Sequence, residues 1–193
     1  MSRRPADYAY LSGFNARAME PYIDFFNFMS YDFHGPWDAP VLGAFILPQT
    51  SILDVDNALL PLWFDSVDPS KVNLGLAYYG RGYTASSPSC LQINCPYSAP
   101  SNAGPCTNSP GLLSLREIEE LIDVDGLVPE LLEDLMIKQI TWGDDQWMGY
   151  DDNETFAMKI AYANNRCLGG TMFWSIDLYS GPGRYLLHLY ISE

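Results

Sequence analysis

The chain has 193 residues, long enough for one sizeable core and one inserted subdomain. An apolar fraction of 48% with 14% aromatics excludes a disordered chain. Ten basic against 24 acidic residues leave a net charge of -14, which argues against nucleic acid or an anionic membrane as partner and is compatible with a neutral polysaccharide. No run approaches the roughly 18 apolar residues of a membrane helix, and Met1-Ser2-Arg3-Arg4-Pro5 leads into no signal-peptide core. Taken alone, this predicts a soluble cytosolic protein.

In chain order, Tyr8 to Leu11 is aromatic and expected to be extended, and Asn15 to Tyr22 reads as a short helix. An apolar run then predicts a buried strand over Ile23 to Tyr31. Apolar residues at helical spacing (Leu53, Leu59, Leu60, Trp63, Phe64) predict a helix over Leu53 to Phe64, which Pro61 must bend or shorten and Asp68-Pro69-Ser70 ends. Val72 to Tyr79 reads as a second strand, ending in Gly80-Arg81-Gly82.

A Pro/Gly/Ser/Asn-rich stretch follows, carrying Cys90, Cys95 and Cys106; Cys167 lies far downstream. Cysteines in so apolar-poor a loop read as disulfide staples, with pairing left open. A metal site is the rival, but the spacings fit no common zinc pattern and neither His34 nor His188 is near in sequence. Disulfides imply an oxidising, secreted setting. That conflicts with the absence of a signal peptide in these residues and leads to the expectation of a missing front end. Further on, a helix is predicted over Leu115 to Ile122, an alternating piece over Ile137 to Trp142, a hairpin at Trp142 to Trp147, and a helix from an Asn153 cap to Asn164 with Phe156, Ile160 and Ala163 on one face. Gly170 to Asp177 is the third predicted buried strand. Strand, helix, strand, insertion, helix, strand is the rhythm of an α/β barrel, but three strands do not close one.

The most informative segment is Phe28-Met29-Ser30-Tyr31-Asp32-Phe33-His34-Gly35-Pro36-Trp37-Asp38, an apolar run that ends abruptly in polar and aromatic groups at a Gly-Pro turn. A buried parallel strand looks like this when it delivers side chains to a site at its carboxyl end. The segment resembles the sixth-strand motif of family 18 glycoside hydrolases, the chitinases and their relatives. Leu74 to Arg81 resembles their seventh strand, Gly169 to Asp177 their eighth, and Gln146 to Asp152 the segment re-entering the barrel after the insertion domain. The cysteine loop looks most like fungal members. The family's acid motif, Asp-Gly-x-Asp-x-Asp-x-Glu, occurs nowhere in these residues.

The resemblance implies an α/β fold: a partial TIM (β/α)8 barrel, strands six to eight, with a small α+β insertion domain. It divides the chain into 1–82, a barrel segment; 83–147, the insertion; and 148–193, a second barrel segment. It implies a chitinase-like hydrolase of β-1,4-linked N-acetylglucosamine polymers, working by substrate-assisted retaining hydrolysis with no cofactor and no metal. In that chemistry the sugar's own acetamido carbonyl attacks the anomeric carbon, and the enzyme supplies an acid and grips the acetamido group. By resemblance, Tyr31 hydrogen-bonds that carbonyl and Asp32 shapes its subsite. Met29, Trp37, Tyr79, Arg81 and Trp174 contact substrate, with Trp174 as the floor. The implied partners are chitin or chitooligosaccharides and the missing amino-terminal half of the barrel; the implied location of the parent protein is extracellular. Because the acid is not among these residues, a non-catalytic chitin-binding module is the alternative, and an inactive remnant the third possibility.

Each residue also has a plainer reading. Trp174 could be a core tryptophan, Arg81 an ordinary ion-pair partner, and Trp37 a side chain packed on the Gly35-Pro36 turn. His34 reads as a loop residue. Glu117, Glu119 and Glu120 read as a solvated helix face, and Asp123 and Asp125 form no acid pair. Three β/α units leave open sheet edges, so poor stability or association is expected, and the tail from Gly183 departs from the family's usual continuation.

Overall fold

The computed structural model describes residues 13–179. The stretch Tyr8 to Leu11 and the tail from Gly183 lie outside them. The Asn15 side chain accepts the Ala18 N–H at 2.9 Å and starts helix α1 (Ala16–Met19), which tightens into a single turn at Glu20–Tyr22. Strand β1 follows but covers only Phe26–Phe28, and Phe25 and Met29 beside it are exposed. The expected buried strand from Ile23 to Tyr31 is therefore shorter and half open. Among the described residues β1 has a neighbour on one side only, so its apolar run lacks a second surface to bury against.

After the short helix α2 (Ala39–Leu42), the Ser51 hydroxyl accepts the Leu53 N–H and starts α3 (Ile52–Phe64), which buries Ile52, Val55, Leu59 and Leu62. Pro61 does not cut α3 short. It sits in the last turn, where only the Asn57 carbonyl forgoes a bond. Strand β2 (Val72–Ala77) is the buried centre of a three-stranded parallel sheet, between β1 and β9 (Gly170–Trp174). Phe28 lies opposite Leu74, and Trp174 opposite Ala77. β9 is half-buried rather than buried and stops at Trp174; Ile176 stands in solvent in a following turn.

The predicted strand Val72 to Tyr79 breaks at one residue. Tyr78 donates its N–H to the Trp174 carbonyl and accepts the Leu115 N–H, each at 2.8 Å, and the chain then enters a different sheet. Its ring stacks on Phe173 at 4.7 Å and meets Phe156 edge-on at 5.7 Å. The second sheet is six-stranded and antiparallel. Its central pair is β3 (Tyr79–Ala85) and β8 (Gln146–Tyr150). β4 (Tyr97–Pro100) and β5 (Leu112–Ser114) also pair with β3, while β7 (Ile137–Trp142) and β6 (Glu130–Leu132) extend the side of β8. β7 and β8 form the expected hairpin, turned by Gly143 in the left-handed region.

Helix α4 (Leu115–Asp125) opens with a reciprocal cap in which the Ser114 hydroxyl takes the Glu117 N–H and Glu117 takes the Ser114 N–H. Glu117 is buried, which corrects the reading of a solvated face at that residue, while Glu119 and Glu120 are exposed as expected. Its carboxylate also accepts the N–H groups of Cys106 and Thr107, at 2.7 and 2.9 Å. The cysteine loop is thus pinned in two ways: Cys90 and Cys95 form a disulfide, and Glu117 takes the place of a second staple, leaving Cys106 unpaired, as is Cys167. Burial acts to raise the Glu117 pKa, but its backbone and hydroxyl donors prevail and hold it below the usual carboxylate range.

Helix α5 (Asn153–Asn165) is capped by Asp152, one residue earlier than expected, whose carboxylate accepts the Glu154 and Thr155 N–H groups. β2, α3, α5 and parts of β5, β7, β8 and α4 share one hydrophobic core, so the two sheets are not separate domains in packing. A smaller cluster around Ile46, Tyr83, Tyr97 and Trp147 underlies the disulfide loop. Among the described residues no helix is long and apolar enough to cross a membrane.

Candidate functional site

The carboxyl ends of β1, β2 and β9 lie at one edge of the parallel sheet, and every sequence-predicted site residue is at or just beyond that edge. Met29, Tyr31 and Asp32 follow β1; Tyr79 and Arg81 follow β2; Trp174 ends β9; Trp37 lies in the turn Pro36–Asp38. The loop after β1 packs closely on β2. Ser30 donates its hydroxyl to the Gly75 carbonyl at 2.6 Å, and a Cβ at position 75 would sit 2.5 Å from the Phe28 carbonyl oxygen and 3.0 Å from the Tyr31 ring. Only glycine permits this crossing.

The polar centre of the site is a forked ion pair. Arg81 Nε and Nη2 reach the two Asp32 oxygens at 2.8 and 3.0 Å. Two parallel bonds fix both planes. The Arg81 guanidinium also lies 5.0 Å from the Trp37 ring centre and 5.4 Å from that of Tyr79, and Tyr31 meets Tyr79 edge-on at 6.1 Å. Tyr31, Asp32, Trp37, Tyr79 and Arg81 are thus one contiguous group. Arg81 is indeed an ion-pair partner, and its partner is another predicted site residue. Asp32 has a left-handed backbone (φ 59°), which aspartate tolerates better than most residues. Burial first, and the Asp32 charge second, raise the pKa of both Tyr31 and Tyr79, so both phenols stay protonated donors through the neutral range.

Trp174 and Met29 stand apart from this cluster and present 55% and 67% of their surface to solvent. For Trp174 this removes the core reading, since only the strand preceding it packs inward. Trp37 is half exposed, and its ring rests on Gly35, where a Cβ would come within 2.3 Å of ring atoms. Two tryptophans and a methionine are thus exposed at the carboxyl edge of the parallel sheet, Trp37 lying against the fixed charge pair and Trp174 and Met29 beyond it. Aromatic faces with a few directional polar groups suit a neutral, ring-shaped ligand.

Sequence reasoning missed Gln49, which is 1% exposed. Its Oε1 accepts the Asp32 N–H at 3.3 Å, its Nε2 donates to the Tyr79 carbonyl at 2.8 Å, and its own carbonyl accepts the Phe33 N–H at 3.1 Å. It ties the loop after β1 to the start of β3. Gln49→Leu should destabilise the chain by about 1–3 kcal/mol, since it strands a backbone donor and acceptor. Urea denaturation measures this, and a loss under about 0.5 kcal/mol would show that the two backbone groups find other partners.

The sequence profile of "Glycosyl hydrolases family 18" matches residues 2–178. The chain is 33% identical over 172 residues to human chitinase-3-like protein 2, covering 84% of this chain and 43% of that protein. It is 31% identical over 183 residues to putative chitinase 1 of Margaritifera margaritifera, covering 93% of this chain and 37% of the relative. Among solved structures it is similar to human YKL-39, described as a pseudo-chitinase with retained chitooligosaccharide binding properties (31% identity, TM-score 0.74, 84% of this chain and 46% of that one). It is also similar to a plant class V chitinase mutant from Cycas revoluta in complex with (GlcNAc)3 (26% identity, TM-score 0.73, 86% and 45%). The chain spans less than half the length of these relatives.

Proposed function

Because the chain belongs to glycosyl hydrolases family 18, we propose that its exposed wall binds chitooligosaccharides and forms one side of a chitinase-type cleft. The observation that carries this is the exposed Trp174 at the end of a parallel strand, on the same sheet edge as the Arg81–Asp32 pair, the partly buried Tyr31 and the buried Tyr79. In this reading Trp174 is the floor under one sugar ring, Met29 packs beside it, and Trp37 stacks on the next ring. Tyr31, kept protonated by burial and by Asp32, donates its hydroxyl to the acetamido carbonyl. Asp32, held by Arg81, keeps that phenol a donor and shapes the subsite. We assign β1, β2 and β9 to strands six, seven and eight of the (β/α)8 barrel and the intervening antiparallel unit to the insertion. The remaining wall and the general acid belong to further barrel strands along the open edges of the parallel sheet. The Cys90–Cys95 disulfide supports an oxidising, extracellular setting.

Hydrolysis by the substrate-assisted retaining route needs an acid for the leaving oxygen, and these 193 residues contain no Asp-x-x-Asp-x-Asp-x-Glu. Binding without turnover is therefore the activity assigned to this polypeptide, and the binding described for the YKL-39 pseudo-chitinase is a precedent for it. Calorimetric titration of the 193-residue chain with (GlcNAc)4 should give saturable one-site binding, while release of reducing ends stays at background, since loss of a general acid forfeits factors of about 100 to 10,000. Absence of binding at millimolar sugar would overturn the binding reading. Turnover that disappears in Tyr31→Phe or Asp32→Ala would overturn the assignment of binding alone.

A further inference from the structure

His34 is two residues past Asp32 and three before Trp37, and both of its ring nitrogens face carboxylates. Nδ1 lies 2.7 Å from Asp38 Oδ2, and Nε2 lies 3.6 Å from Asp54 Oδ2. Asp38 is in the same turn as Trp37, while Asp54 is in the first turn of α3. A neutral imidazole has one N–H and serves one acceptor; the doubly protonated ring serves both. The Asp38 carboxylate further accepts the Gly35 N–H at 3.4 Å, and the Tyr97 hydroxyl donates to the Pro36 carbonyl at 3.3 Å. The turn bearing Trp37 is thus fastened at its carboxyl end by Asp38, and Asp38 is fastened by His34.

We propose that cationic His34 is a positioning residue, a latch that ties the Pro36–Trp37–Asp38 turn to α3 and so sets the Trp37 ring for the sugar. The proposal rests on the reading of Trp37 as a sugar contact. The titratable groups facing the latch are Asp38 from its own turn, Asp54 from α3, and the phenols of Tyr83 on β3 and Tyr97 on β4, whose pKa values are raised first by burial and then by the Asp38 charge. Burial opposes the imidazolium, but the contacts with Asp38 and Asp54 and their negative charges outweigh it and lift the His34 pKa from 6.5 to about 9. The sign follows from that direction. A raised folded-state value means the latch is fully present below about 6.5 and is lost as pH rises through about 9.

The chain has only two histidines and five tryptophans, so the signals are assignable. In nitrogen-detected NMR the His34 ring, assigned with His34→Gln, should titrate near 9, and the Trp37 indole N–H, assigned with Trp37→Phe, should move with the same midpoint. Calorimetry should find (GlcNAc)4 affinity level from pH 6 to 8 and about fivefold weaker above 9. His34→Gln should be about fivefold weaker already at pH 7, with little further loss on raising the pH. A His34 midpoint at or below 7, or a Trp37 indole that ignores the His34 titration, overturns the latch. If the indole follows His34 but (GlcNAc)4 binds at no pH, the latch stands and the sugar-binding reading fails. If the sugar binds with equal affinity to His34→Gln at all pH values, the site stands and the latch has no role in it.

Discussion

Asp151→Ala should remove 3–5 kcal/mol of stability, the expected range for leaving a buried charge without its partner. Lys159 and Asp151 are both 2% exposed, their ammonium and carboxylate joined at 2.6 and 2.7 Å, with Lys159 also donating to the Thr50 carbonyl at 2.7 Å and Asp151 accepting the Thr155 hydroxyl. Burial already pulls the Lys159 pKa below its ordinary value, with the Asp151 charge opposing. Removing the carboxylate leaves the ammonium one carbonyl and no counter-charge. A domain of this size is held by roughly 5–15 kcal/mol in all, so this single change consumes a large share. Urea denaturation of wild type and variant gives the difference directly. The double variant Asp151→Leu, Lys159→Met removes both charges together and should recover most of the loss, because a buried pair contributes little net over apolar residues of similar volume. A loss under about 1 kcal/mol in Asp151→Ala would mean that water reaches Lys159 and that the pair is not a keystone.

Trp174→Ala should weaken (GlcNAc)4 binding by at least about 30-fold, the equivalent of 2 kcal/mol for a binding hot spot, with a melting temperature close to that of the wild type. The two expectations separate because the ring is 55% exposed and its removal opens no core cavity, whereas it supplies the largest apolar face on the sheet edge. Trp174→Phe should keep a substantial part of the affinity, since an aromatic face survives. Calorimetry paired with thermal melting reads both. An unchanged affinity in Trp174→Ala would place the sugar elsewhere on the chain. A large fall in melting temperature would instead return Trp174 to a structural role.

Much of the site was legible because its residues cluster in sequence at strand ends. Phe28 to Asp38 contains three of the five residues that meet in space (Tyr31, Asp32 and Trp37), and the Tyr79–Arg81 end of the next strand supplies the other two. The burial of the strands was less legible. Apolar runs at Phe25 to Met29 and Gly170 to Ile176 predict burial only where a neighbouring strand exists, and among the described residues each outer strand has one neighbour. Gln49 carried no signal, since its partners lie 17 and 30 residues away and a glutamine in a loop fits no periodic pattern. Two other misses did have signals. Ser114 with Glu117 three residues on is a capping pair, which predicts an inward carboxylate. Lys159 falls on the face of Phe156, Ile160 and Ala163, so the helical period itself demanded a buried counter-charge, met eight residues upstream at Asp151.

Tyr78 is the single residue at which the chain leaves one sheet for the other, and the proposed binding wall straddles it. Trp174 and Met29 belong to the parallel side, while Tyr79 and Arg81 belong to the antiparallel side. On the proposed reading, an oligosaccharide that touches Trp174 and Arg81 together bridges the two sheets at the surface, above the hydrophobic core that already joins them. Sugar bound across that seam should then stabilise both sheets as one unit, by linkage to the folded state.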